Sequence, residues 1–193
     1  EPITRGRVEV TDRGEAGRQV TVGDVTVTGA LSLRTLASTG SLKLGGIDVS
    51  SADQGPLRGS SVEASWATLG ADASAKASFS FAEAGLEADL AAEVHDLSGT
   101  PRWSATLAAE GSLGPLADRL APDLGLAGRA CARVAASGSG PDLATGTVTV
   151  TADGASLLGR SFDRVEVAAE LEGARLRKAT LAAASGAGRL DAE

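Results

Sequence analysis

Tyr, Met and Asn are absent from this 193-residue chain. Aromatics make up only 3%: Trp66, Trp103, Phe79, Phe81 and Phe162. A single cysteine, Cys131, permits no internal disulfide. One Cys and one His, His95, cannot build a zinc site of the common kinds. No apolar run approaches the roughly 18 residues of a membrane-spanning helix. Basic charge is in deficit too. The formal net charge of −7 argues against a nucleic-acid partner, which calls for a basic stripe. Phosphate-binding glycine loops, nucleophile elbows and metalloprotease signatures are all missing. The sequence therefore points to no enzyme, no cofactor and no metal.

What is present is apolar and small. Hydrophobic residues reach 42% and glycines number 25, too much apolar character for a disordered tail. Any core has to be assembled from Ala, Val and Leu. The dominant pattern is period two, the mark of strands with one apolar face. Val25, Val27, Leu31 and Leu33 alternate with hydroxyl-bearing residues. The alternation continues through Val62 and Trp66, then Phe79 and Phe81, then Leu86, Leu90 and Val94. It resumes at Trp103 and Leu107, and again at Val134, at Val148 and Val150, and at Val165, Val167 and Leu171. Short Gly, Ser, Asp or Pro clusters separate these runs, among them Gly45-Gly46, Ala84-Gly85 and Asp153-Gly154, and strands are expected to begin just after Gly59, Gly128 and Gly146. The spacing predicts an all-β antiparallel meander of about ten to thirteen strands. One stretch breaks the period: Pro115 to Ala121 reads as a short helix, with Leu116 and Leu120 on one face and Pro122 as its stop.

Three groups of polar residues invite a chemical reading. Glu87, Asp89, Glu93 and His95 share one strand face, where carboxylates could tune an imidazole; a solvated charged face is the plainer reading. Cys131 lies between Arg129 and Arg133, whose charge could lower a thiol pKa, yet an incidental small residue explains it as well. Thr145, Thr147, Thr149 and Thr151 form a Thr ladder of the kind found on many exposed strands.

A chain with so small an apolar face has two physical solutions. Two sheets can pack unusually close, or one sheet can curl around a space that a guest fills. The natural guest for a long apolar trough is a lipid acyl chain, since an empty one forfeits dispersion contacts.

The run from Ala109 to Arg129, including Leu113-Gly114-Pro115-Leu116-Ala117-Asp118-Arg119-Leu120, resembles a TamB-type repeat. So do Ser137 to Gly146, Gly159 to Val167, Leu176 to Leu181 and Gly186 to Leu190; the likeness is clearest over 105–193. TamB, of the translocation and assembly module, and its AsmA-like relatives are long β-sheets rolled into an open, taco-like groove with an apolar lining. The resemblance implies a cell-envelope bridge protein of the periplasm. Such a protein conducts phospholipids between inner and outer membranes and supports outer-membrane biogenesis beside an Omp85-type barrel partner. The groove lining is then expected at Val25, Val27, Leu31, Leu33, Val62, Trp66, Phe79, Phe81, Leu86, Leu90, Val94, Trp103, Leu107, Val134, Val148, Val150, Val165, Val167 and Leu171. The chain begins without an initiator Met and ends within a strand-like pattern. It is read as one continuous β-rich segment, 1–193, of a longer protein whose membrane anchor lies elsewhere. Exposed strand edges are expected to promote self-association. The alternative function is a structural or adhesive surface β-repeat with a tightly packed core and no lipid cargo.

Overall fold

The computed structural model describes residues 3–11, 19–50, 57–120, 125–157, 159–186 and 188–192. Twelve strands form one sheet whose order is the order of the sequence. In chain order they are β1 (Ile3–Thr11), β2 (Gln19–Ser32), β3 (Ala37–Ser50), β4 (Leu57–Leu69), β5 (Asp72–Phe81) and β6 (Leu86–His95), followed by β7 (Arg102–Ser112), β8 (Ala127–Ser139), β9 (Asp142–Leu157), β10 (Arg160–Glu172), β11 (Arg175–Ser185) and β12 (Gly188–Ala192). Every pairing is antiparallel. The sheet is open: β1 and β12 are its two edges and do not meet. The meander expected from period two is thus the fold, an open antiparallel sheet not closed into a barrel.

The hairpins are fastened to one another as well as internally. At the end of the sheet that carries the β2–β3 turn, Gly70 N–H donates to Leu36 O at 3.3 Å and Leu97 N–H to Ala71 O at 2.8 Å. Gly140 N–H donates to Pro101 O at 2.7 Å and Gly173 N–H to Ala144 O at 3.1 Å. Each turn therefore satisfies backbone groups of its neighbour that would otherwise need water.

The opposite end carries the helix, α1 (Leu113–Leu120), which contacts β8 and a 3-10 turn at Ala82–Ala84. Pro115 falls in the first turn, where a missing N–H breaks no intrahelical bond. The helix starts two residues before the expected Pro115. Pro122, expected as its stop, lies outside the described residues, as do the side chains of Leu116 and Leu120. Among the described residues no helix is long and apolar enough to cross a membrane.

Several glycines do a different job from the one expected. Gly45-Gly46 and Asp153-Gly154 do not end strands; they lie inside β3 and β9, and Gly59, Gly128 and Gly146 lie inside β4, β8 and β9. The register shifts between Leu44 and Ile47 on β3, and between Ala127 and Arg129 on β8. Three steps on β3 face two on β4, and three on β9 (Asp153 to Ser156) face two on β8, so the extra residues lie at Gly46 and Gly154, at φ +60° and +57°, with Gly128 at φ +116° across from the second. These are β-bulges, which admit an extra residue and bend the strand without ending it. A Gly at positive φ serves a bulge as readily as a turn, so spacing alone does not separate the two.

Among the described residues there is no second layer. The strong contacts between elements run only between sequence neighbours or to the helix and the 3-10 turn. Among the described residues Ala155, 7% exposed, is the sole buried hydrophobic and Ser60, 2% exposed, the sole buried polar residue. The accessible surface is 12803 Å². A compact protein of 19.1 kDa exposes about 8,400 Å² by the usual scaling. A one-layer sheet, with neither face covered, produces an excess of this kind.

Candidate functional site: the charge-free face

Successive side chains on a strand point to opposite faces, and the register assigns each residue to a row running across the sheet. A central row runs Val27, Leu42, Ala64, Ala77, Leu90, Leu107, Val134, Val148, Ala169 and Ala179 from β2 to β11. On one side of it lies Val25, Leu44, Val62, Phe79, Ala88, Ala109, Ala132, Val150, Val167 and Leu181. Beyond that come Ser60, Phe81, Leu86, Gly111, Ala130, Ala152, Val165 and Ala183. On the other side lies Gly29, Gly40, Trp66, Ala75, Ala92, Ala105, Ala136, Gly146 and Leu171, and past it Leu31, Ser38, Thr68, Ala73, Val94, Trp103 and Gly138.

No charged side chain occurs in any of these five rows. The strand residues that carry charge in β2–β11 fall on the opposite face or at strand ends and bulges. With rows about 6.8 Å apart and strands about 4.8 Å apart, the charge-free face covers about 1,200 Å². Apolar patches on ordinary monomers reach about 300–600 Å².

Of the lining residues expected from sequence, all but Leu33 fall on this one face. Leu33 lies in the turn after β2, belongs to no row and is exposed. Leu31, at the end of β2, is also strongly exposed. Most of the others are half-buried; Leu90 at 37%, Trp66 at 38% and Val167 at 40% are open to solvent. The alternation also carries the small residues between them, Ala75, Ala92 and Ala105, to this face, but not their alignment across strands. Ala75, Ala92, Ala105, Ala136 and Gly146 form a low strip beside the higher central row. That strip depends on register between strands, and no single strand displays it.

The two tryptophans sit on cross-strand glycines. The Trp66 ring covers Gly40, where an added Cβ would lie 2.6 Å from Cη2 and closer still to Cζ2 and Cε2. Trp103 covers Gly138 in the same way, and its Nε1 donates to Gly140 O at 3.0 Å. An indole laid over a strand glycine replaces the packing that the glycine lacks.

The reverse face is polar and carries a trough of about 700 Å³ across β3–β9. Its side-chain walls are two parallel rows, one holding Ser41, Ser65, Lys76, Ala91, Thr106, Ala135 and Thr147, the other Lys43, Glu63, Ser78, Asp89, Ala108, Arg133 and Thr149. Ala64, Ala77, Leu90, Leu107 and Val134 line it from the row between. Their side chains point to the charge-free face, so they meet this trough through backbone. The trough and the apolar lining thus lie on opposite sides of the sheet.

The polar groups singled out in the sequence do not converge. His95 Nδ1 lies 3.1 Å from Asp72 Oδ1 on β5, and Glu87, Asp89 and Glu93 on its own strand are exposed. Cys131 is half-buried opposite Glu110, and Arg129 pairs with that Glu at 3.0 Å. On the edge strand, the hydrogen bond and charge of Asp191 raise the Arg189 guanidinium above its ordinary pKa. Among the described residues no three His, Cys, Asp or Glu side chains group to hold a metal ion. Compared with known proteins, the chain matches no family model, no curated sequence and no solved structure.

Proposed function

We propose that this chain is a segment of an envelope protein whose apolar β-face carries phospholipid acyl chains between membranes. The observation that carries the reading is the five-row face without a single charge, left uncovered by any second layer. Each Å² of that apolar surface covered by hydrocarbon gains up to about 25 cal/mol. Hydrocarbon is a fitting cover because the face offers neither charges nor a specific polar pocket. The rows run across the strands, along the direction in which the sheet extends, so a chain lying on them moves from one strand to the next without changing surroundings. The periplasmic location and the Omp85-type barrel partner belong to the same reading and rest on the resemblance over 105–193. The alternative, an adhesive repeat with a packed core, has no buried apolar interior to support it among the described residues.

Photo-crosslinkers at Leu90, Leu107 and Val148 should capture phospholipid from purified protein, with lipid identified by mass spectrometry. The same probes at Asp89, Thr106 and Thr149, which line the reverse trough, should not. Equal labelling on the two faces, or no lipid at all, removes the support for this reading.

A further inference from the structure

We propose that the lipid-free chain covers its apolar face with a second copy of itself, the two sheets packing face to face as a closed dimer. The inference adds to the lipid reading in one respect: the second copy and the acyl chains compete for one surface.

Three features favour a second copy. The first is area. A specific interface buries about 800 Å² on each partner, and the charge-free face offers about 1,200 Å². The second is self-complementary relief. The central ridge of Leu90, Leu107, Val134 and Val148 lies one row from the low strip of Ala75, Ala92, Ala105 and Ala136. A two-fold axis between the sheets, parallel to the rows and midway between ridge and strip, lays each ridge into the other copy's strip. The ridge residues Leu90, Leu107, Val134 and Val148 then meet Ala92, Ala105, Ala136 and Gly146 of the other copy, and the same contacts repeat in reverse, as an isologous interface requires. The third is charge. The net charge of −7 sets two copies against each other, but the charged rows point outward. Facing sheets pack about 10 Å apart, so those rows stand farther apart than the Debye length of about 8 Å at physiological salt.

Sedimentation of delipidated protein tests this. At about 10 µM, the weak end for an interface of this size, a dimer should dominate and should dissociate as phospholipid is added. Ala105→Leu fills the strip while keeping it apolar and should weaken the dimer at least tenfold. Ala92→Leu, in the same strip, should act alike and guards against one variant misfolding. Ala108→Leu, on the reverse face, should change it less than twofold. A monomer throughout, equal effects at Ala105 and Ala108, or lipid bound without loss of dimer would each overturn the proposal. So would an open-ended series of oligomers indifferent to Ala105, the result expected of pairing at the strand edges. Mass spectrometry of the same fractions scores lipid separately. If no fraction retains lipid, the transport reading fails while the Ala105 and Ala108 comparison still decides the dimer.

Discussion

Two glycines three residues apart should respond in opposite directions to the same substitution. Gly111 is buried near the end of β7, against the junction of the 3-10 turn and β6. A Cβ there would meet Gly85 O at 2.9 Å, Leu86 Cα at 3.0 Å and Leu86 Cδ1 at 3.1 Å. Two of these are backbone atoms, and each contact is roughly 0.5 Å or more short of ordinary separation. The backbone cannot yield cheaply. Gly85 is in the left-handed region at φ +54° and donates its N–H to Ala82 O at 3.1 Å, and the 3-10 turn in turn touches α1. Gly111→Ala should therefore destabilise by about 1–3 kcal/mol, as overpacking does. Gly114 lies in the first turn of α1 with nothing within 4 Å of an added Cβ and no positive φ. Gly114→Ala should stabilise by about 0.4–1 kcal/mol, by restricting the unfolded chain. For a chain of this size each kcal/mol moves the Tm by about 2–4 °C. Urea unfolding followed by tryptophan fluorescence, with Trp103 on the same strand as Gly111, reads the difference. Changes of the same sign at both positions, or a neutral Gly111→Ala, would refute the packing argument.

Trp103→Phe removes the hydrogen bond to Gly140 O and should cost about 0.5–1.5 kcal/mol beyond the change in ring packing. Trp66→Phe removes no hydrogen bond seen among the described residues, so the two variants compared in one urea series isolate that bond. The Lys43–Glu63 pair is 3.0 Å apart with both side chains more than half exposed. Lys43→Gln should lower stability by less than about 1 kcal/mol, and the difference should fade as salt approaches about 1 M.

Much of the fold could be read from alternation alone. Parity along each strand placed Val62 with Trp66, and Leu86 with Leu90 and Val94, on one face; pairing then kept those faces aligned from β2 to β11. The short helix was visible because Pro115 and the leucines four apart break that parity. What escaped depended on relations between strands. The low strip of Ala75, Ala92, Ala105 and Ala136 exists only once register is known. The seating of Trp66 on Gly40 and of Trp103 on Gly138 is likewise a cross-strand fact. The bulges at Gly46 and Gly154 read as strand boundaries in the sequence, because a flexible residue marks a turn and a bulge with the same letter. The polar trough depends on how the sheet curves, which no local pattern reports.

A sheet whose strand order repeats the sequence order asks nothing of the far end of the chain. Each strand needs only the one before it, and the turns are laced pairwise by the bonds from Gly70, Leu97, Gly140 and Gly173. Contacts stay local, so closing long loops adds little to the folding barrier. A polypeptide of this kind can take shape progressively as it emerges, each hairpin adding to a finished edge. Its length is then an adjustable quantity: inserting or deleting a hairpin changes the span and leaves the remaining contacts as they were. The open edges are the points at which such a structure can grow.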